Sequence, residues 1–307
     1  MNALKSIQNK MANSGDYLGD EVFWSISDAD IEPQVVRSLC VQHGLDVRLA
    51  PEYPTTEMAF RRAVDRLKAR YVQRLAGIAD NVIMRKIKED NEAIVYGVVI
   101  EQIEEQIPQG IATVNGMLID KTVKHKTDDR IAFFKESGDV VSDKNSIAAQ
   151  EVGNLFEYYK NHLINDDILA MLQKAMNLFQ AVAIRERGGV YFVPAHYSEQ
   201  LKALQTVVES IGKSSVGILN LYGTKTSTSA LNKAVNAELT SQLNALVGEL
   251  KDFNTDTRKS ALNSRLEKFK ELKQRVKLYD EILTITKDEL IAQAEMAERK
   301  VIELING

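Results

Sequence analysis

Four arginines, Arg62, Arg66, Arg70 and Arg74, recur every four residues. On one α-helix that spacing stacks the guanidinium groups in a single row. A guanidinium is built to recognise carboxylate or phosphate, so the chemistry such a row offers is the holding of an anion rather than the making of a bond. Arg61 and Lys68 stand beside the row and Asp65 is the only acid within it. The row therefore either pairs inside the fold or meets an anionic partner. A second basic point is Arg185 and Arg187, in the stretch AVAIRERGGVYFVPA from Ala181 to Ala195.

Other chemistry finds little support. His43, His125, His162 and His196 are scattered, with no His or Cys at metal-ligand spacing, and Cys40 lies among apolar positions where a buried, inert thiol is expected. Asp28, Asp30 and Glu32 precede a helix, a place that capping and the helix dipole already favour for acids. Gly212-Lys213-Ser214 resembles the end of a phosphate-binding loop, but position 207 is Val where that loop needs its first glycine. No catalytic, cofactor or metal role is assigned to any residue.

The elements that must position the basic residues follow from hydrophobic periodicity. Glu21 to Ser27 alternates as a strand, and a helix with Pro33 in its first turn follows, with Val35, Val36, Leu39 and Cys40 inward and Gly44 as its stop. The arginine-bearing helix opens at Thr55 or Thr56 and buries Ala59, Phe60, Ala63, Val64, Leu67, Tyr71 and Leu75. Strands are expected over 82–88 and 93–103, at 111–114 and 117–119 around Asn115-Gly116, and over 130–134 after a charged loop containing His125. They imply an antiparallel sheet of four or five strands. Helices over 146–163 and 165–179 lead into the 181–195 hairpin, whose Gly188 and Gly189 suit a tight turn. Ser198 is expected to cap the helix that follows, and 216–222 to form another strand.

The last quarter is different in kind. Leu231, Val235, Leu239, Leu243, Leu246, Leu250 and Phe253 keep the three-and-four spacing of a coiled-coil seam, and Leu262, Phe269, Val276, Leu283 and Leu290 keep a strict interval of seven. The expectation is a projecting antiparallel helical hairpin that assembles copies of the chain through Leu239, Leu246, Phe253, Leu262, Phe269, Val276 and Leu283. The fold class is thus α+β: an antiparallel sheet with helices, a winged-helix-like α/β middle and a C-terminal coiled-coil helical hairpin. The domains are expected as a flexible lead (1–20), a sheet domain (21–140), a helix-helix-hairpin domain (141–224) and the arm (225–307).

At 307 residues with 44% apolar and 27% charged residues, the chain has the composition of a globular protein of two or three domains. Its net charge of -4 gives no overall drive toward nucleic acid, so any such contact needs a local basic patch. No run approaches the roughly 18 apolar residues of a membrane span, so no membrane partner is expected and the cytoplasm is the expected compartment.

The motifs FWSI near the start, AFRRA at Ala59 to Ala63 and RERGGVYFVP at Arg185 to Pro194 resemble an uncharacterised family of bacterial, archaeal and phage-encoded proteins. The resemblance implies a phage or mobile-element setting and carries no activity. Three readings stand at this point. The first is a non-enzymatic interaction protein that self-associates, or grips a partner, through its arm, with an acidic protein or nucleic acid as the possible partner of the basic residues. The second is a nucleic-acid-binding protein using the arginine row and the hairpin tip, and the third an enzyme of unrecognised type.

Overall fold

The computed structural model describes residues 16–70, 72–75, 78–106, 120–185, 189–250, 253, 258–283 and 287–306. In chain order, β1 (Tyr17–Ser25) is followed by α1 (Pro33–Gln42) and by Gly44 at φ +71. α2 (Thr56–Arg70) gives way to β2 (Val72–Leu75), β3 (Ile78–Glu89), β4 (Ala93–Gln106), β5 (Asp120–Phe134) and β6 (Val140–Ser142). Next come α3 (Ile147–Tyr159), α4 (Asn165–Leu178), the hairpin strands β7 (Val182–Ala183) and β8 (Tyr191–Pro194), α5 (Ser198–Glu209) and β9 (Ser215–Tyr222). Three long helices follow: α6 (Lys225–Glu249), α7 (Lys259–Leu283) and α8 (Lys287–Asn306). The α+β class read from the sequence is the class observed.

The chain divides into two compact units: Met1–Ala29, Val36–Ala50 and Asn165–Gly307 form the first, and Asp30–Val35 with Pro51–Ile164 the second. These are not the expected boundaries at 140 and 224. β1 pairs with strands that come after residue 190, so the beginning of the chain belongs with its later part, and α3 and α4 fall in different units.

In the first unit an antiparallel sheet runs in the order β7-β8-β1-β9. β8 bonds to β7 on one side and to β1 on the other, so the hairpin is built into a sheet rather than standing free as a wing. Residues paired directly across strands share a face. Asp20, opposite Val193 and Asn220, therefore looks the same way as they do, while Phe192, opposite Val182 and Glu21, looks the other way. The first face meets α5. There Asp20, only 1% exposed, accepts a hydrogen bond from Ser198 Oγ at 2.6 Å and one from Asn220 Nδ2 at 3.1 Å. Ser198 thus does not cap α5 as expected: Tyr197 holds the cap position with no side-chain bond, and the Ser198 hydroxyl turns to the buried carboxylate. Burial raises the pKa of Tyr17, whose hydroxyl lies 2.6 Å from Ser198 Oγ.

On the other face, Val182 and Phe192 share one apolar cluster with Leu231, Leu239, Phe269, Val276, Tyr279 and Val301 from the three long helices. The expected projecting arm is therefore folded back. Two residues one turn apart on α7 fix it there. The Tyr279 hydroxyl donates to the Gln180 carbonyl at 2.7 Å, and Arg275 donates to the Ala181 carbonyl. Those carbonyls belong to the link between α4 and β7, where Gln180 takes the left-handed conformation at φ +55 and the Ala181 amide closes on the Met176 carbonyl. That is the geometry of a helix C-cap with a non-glycine residue in the position glycine usually holds.

The resemblance of 212–214 to a phosphate loop also resolves into packing. A Cβ on Gly212, which sits at φ +59, would lie 2.4 Å from the Asp28 carbonyl oxygen, and Lys213 Nζ pairs with Asp28 at 2.8 Å. Cys40 is buried, and burial pushes its thiol pKa up.

In the second unit a five-stranded antiparallel sheet runs β2-β3-β4-β5-β6. α2 and α3 cover one face, where Phe60, Met84, Ile94, Tyr96, Val98, Ile131, Phe133, Val152 and Phe156 form the core. Phe60 stacks on Phe133 with centroids 5.2 Å apart. The β3–β4 turn is held by Asp90, whose Oδ1 accepts from the amides of Glu92 and Ala93, both at 2.9 Å. Two expectations fail here. The charged loop before residue 130 is strand: β5 starts at Asp120 and runs opposite acidic β4, with Glu105 facing Lys121 and Glu101 facing His125 in register. Ile147, expected inward, is 65% exposed because it is the first helical residue after the Ser146 cap. The Asn115-Gly116 turn lies outside the described residues.

Candidate functional site

Three of the four arginines keep their spacing on one helix, Arg62, Arg66 and Arg70 on α2, and the fourth leaves it. α2 ends at Arg70, and Arg74 sits on β2 opposite Ala79, because pairing of 72–75 with 78–81 overrides the helical spacing. Arg62 is half-buried and Arg66 exposed. Neighbouring Arg61 is held inside the fold by Glu57 at 2.8 Å and by Glu89. Arg61 and Lys86 in turn hold the Glu89 carboxyl down to about 2. Arg185 is exposed at the edge of the hairpin tip of the first unit, and Arg187 lies outside the described residues. Arg62, Arg66, Arg70 and Arg74 thus belong to the second unit and Arg185 to the first.

The residues assigned to assembly sit elsewhere too. Leu239, Leu246, Leu262, Phe269, Val276 and Leu283 are buried in the cluster formed by their own chain, and Phe253 packs against it half-buried. The heptad spacing is correct for helix packing, but its seam is filled by α8 and the hairpin. Among the described residues these side chains face their own chain, with Phe253 the one left half-buried.

A different surface combines cations that make no ion pair among the described residues with exposed apolar area: the face of the second sheet opposite α2 and α3. Its composition follows from one irregularity. Strict alternation predicts that Lys86 and Lys88 share a wet face with each other, but a bulge between them inserts Ile87. Lys86 consequently faces the helices, opposite Tyr96, while Arg85 (opposite Gly97) and Lys88 (opposite Val95) look out together. Ile87 folds over the strand: a Cβ on Gly97 would lie 3.0 Å from Ile87 Cδ1, so the glycine makes the room that the isoleucine fills.

Across β4, Gly97 is also opposite Arg130, so Arg85, Gly97 and Arg130 form one row over three strands, with the arginine backbones about 10 Å apart. Val95, Ala132 and Val141 form the next row, and Phe134 stands opposite Ala93 beyond it. Ile87 is 56% exposed, Val141 51% and Phe134 43%. Neither Arg85 nor Arg130 makes an ion pair among the described residues, whereas Lys88 pairs with Asp90 at 2.5 Å and His125 with Glu101 at 3.4 Å. Arg130 was legible only as the start of a strand. Its place beside Arg85 depends on a register and a bulge that local spacing does not carry.

No group of three or more His, Cys, Asp or Glu among the described residues is arranged to hold a metal ion, and none of the described helices is long and apolar enough to cross a membrane. Residues 17–306 match the family described as a family of unknown function, DUF6744, and the chain belongs to it. Comparison with curated proteins and with solved structures gives no match.

Proposed function

Since membership of that family supplies no activity, we propose from the geometry that the chain is a non-enzymatic interaction protein that docks an acidic protein partner on the helix-free face of its second sheet. The observation that carries the reading is the Arg85–Gly97–Arg130 row, two cations that make no ion pair among the described residues, beside exposed Ile87, Phe134 and Val141. Arginine and aromatic residues around an apolar centre are the composition that distinguishes protein interfaces from the rest of a surface. Lys88 on the same face is paired with Asp90, which leaves the two arginines to attract an acidic partner.

A photo-crosslinking residue at Val141, expressed in the native host, tests this. Adducts to an acidic segment of one protein are expected, and Arg85→Glu/Arg130→Glu should abolish them while changing stability by no more than about 0.5 kcal/mol, as at other exposed positions. Adducts indifferent to that charge reversal refute the reading, and so does salt-sensitive binding of single-stranded DNA that the same reversal removes, since it makes the face a nucleic-acid platform.

A further inference from the structure

The first unit contains a cleft of about 940 Å³ between the short turn at Asp46–Leu49, the C-terminal half of α4, and the facing sides of α6 and α7. A space of that size accommodates a small-molecule ligand. Its lining carries Arg48, Lys174, Lys268 and Arg275 against Asp46 and Glu271, an excess of two positive charges in a chain whose total is -4. Two of those cations are already engaged: Arg48 with Asp46 at 2.5 Å, and Lys174 with the Arg48 carbonyl.

Arg275 is placed differently. Its terminal nitrogens donate to the Ala181 carbonyl and to Gln242 Oε1, the latter at 3.1 Å. Gln242 is fixed in that orientation by its own donation to Glu238 at 2.7 Å. The Arg275 Nε is buried and has no hydrogen-bond partner, and no carboxylate among the described residues lies within ion-pair distance of the guanidinium. Arg275 is half-buried and Glu238 attracts it only from beyond ion-pair distance, so its charge is incompletely offset and an oxyanion in the cleft offsets it further. Lys268, at the exposed edge of the cleft, is likewise without an ion pair.

We infer that this cleft binds a small organic anion whose carboxylate or phosphate pairs with the Arg275 guanidinium in its lining, with Lys174 and Lys268 completing the charge. The site lies within the first unit and does not depend on partner docking by the second.

The full-length chain is titrated with inorganic phosphate, pyrophosphate and citrate, against sodium chloride at matched ionic strength, following amide resonances and thermal unfolding. Saturable shifts are expected at 174–181 and at Gln242, with a raised Tm, for the phosphates, for citrate, or for both. Which of them acts identifies the anion class. Arg275→Gln also removes the bond to Ala181 and risks the fold, so the deciding variant is Lys174→Met/Lys268→Met, which leaves that bond intact. It loses the Lys174 bond to the Arg48 carbonyl, so affinity is read at a temperature where the free variant is fully folded; it should bind about tenfold more weakly, while Lys202→Met on α5 binds as wild type. Absence of a saturable shift with every anion, or equal affinity in the double variant, overturns the inference.

Discussion

The two sheets are built from similar strands and treated in opposite ways. In the first unit the β7–β8 hairpin is covered twice, by α5 on the Asp20 side and by the three long helices on the Phe192 side. In the second unit α2 and α3 cover one side only, and the other keeps Ile87, Phe134 and Val141 in solvent. A phenylalanine on the doubly covered hairpin therefore contributes to the fold, whereas one on the open face is available to something else. The difference teaches that neither apolar character nor strand position tells which role a residue has; the count of layers does.

Removing the chain after Tyr222 should do the most damage. The truncation strips α6–α8 from Val182 and Phe192, so we expect the first unit to unfold or aggregate, seen as lost dispersion of its amide resonances, while the second keeps its spectrum. A well-folded truncated chain would mean that the helices are an addition and not a layer. Next comes Phe192→Ala, at about 3–5 kcal/mol by chemical denaturation, the usual cost of emptying a fully buried aromatic site. Its counterpart Phe134→Ala belongs at the bottom of the scale, within about 1 kcal/mol, because a partly exposed ring leaves no closed cavity. Similar losses at both positions would erase the contrast between the sheets.

Between them stands Asp129, the buried carboxylate that joins β5, β6 and the start of α3. It accepts from the amide of Arg130 at 2.7 Å, the Ser142 hydroxyl at 2.6 Å, and the amides of Lys144 at 3.0 Å and Ser146 at 2.9 Å. Burial on its own would raise its pKa, but those hydrogen bonds outweigh it and hold the carboxyl well below its usual value. A lowered folded pKa means that the contribution is complete above about pH 4 and is lost as the pH falls toward the folded value. Asp129→Asn should cost about 2 kcal/mol at pH 7 and flatten the acid limb of the stability curve of the second unit. An unchanged acid limb would show that another carboxylate controls it.

What the sequence made legible was local. Ala59, Phe60, Ala63, Val64 and Leu67 are the inner face of α2, and Leu231 to Leu250 the inner stripe of α6, because a period near 3.6 is written in neighbouring residues. The 181–195 hairpin was legible for the same reason, and Gly189 takes φ +60 as a turn glycine should. What was not legible depends on partners far along the chain. Nothing in Lys121–Thr127 identifies it as strand until acidic β4 lies opposite, and the spacing of Arg74 continues a helical pattern that strand pairing has already ended. The heptads were read correctly as packing helices, and the layer that buries those side chains inside the chain was not legible, since spacing gives the stripe and not what covers it. The open face with Arg85 and Arg130 was missed because a single inserted residue, Ile87, changes which side each later side chain takes.

The insertion of the second unit within the first has a consequence for synthesis. Residues 51–164 contain every strand of their own sheet and can close as soon as they emerge. β1 cannot, because the side chains that satisfy Asp20 come 178 residues later at Ser198 and 200 residues later at Asn220. At common translation speeds that gap keeps the strand without its neighbours for about 10 to 40 seconds. An unpaired strand rich in aromatic residues is a site of misassembly, and an inward-pointing charge is one of the devices that prevents it. Asp20 acts as such a guard: a carboxylate at the middle of β1 penalises burial against any wrong neighbour. The same group becomes a structural bond only when the correct strand and helix arrive.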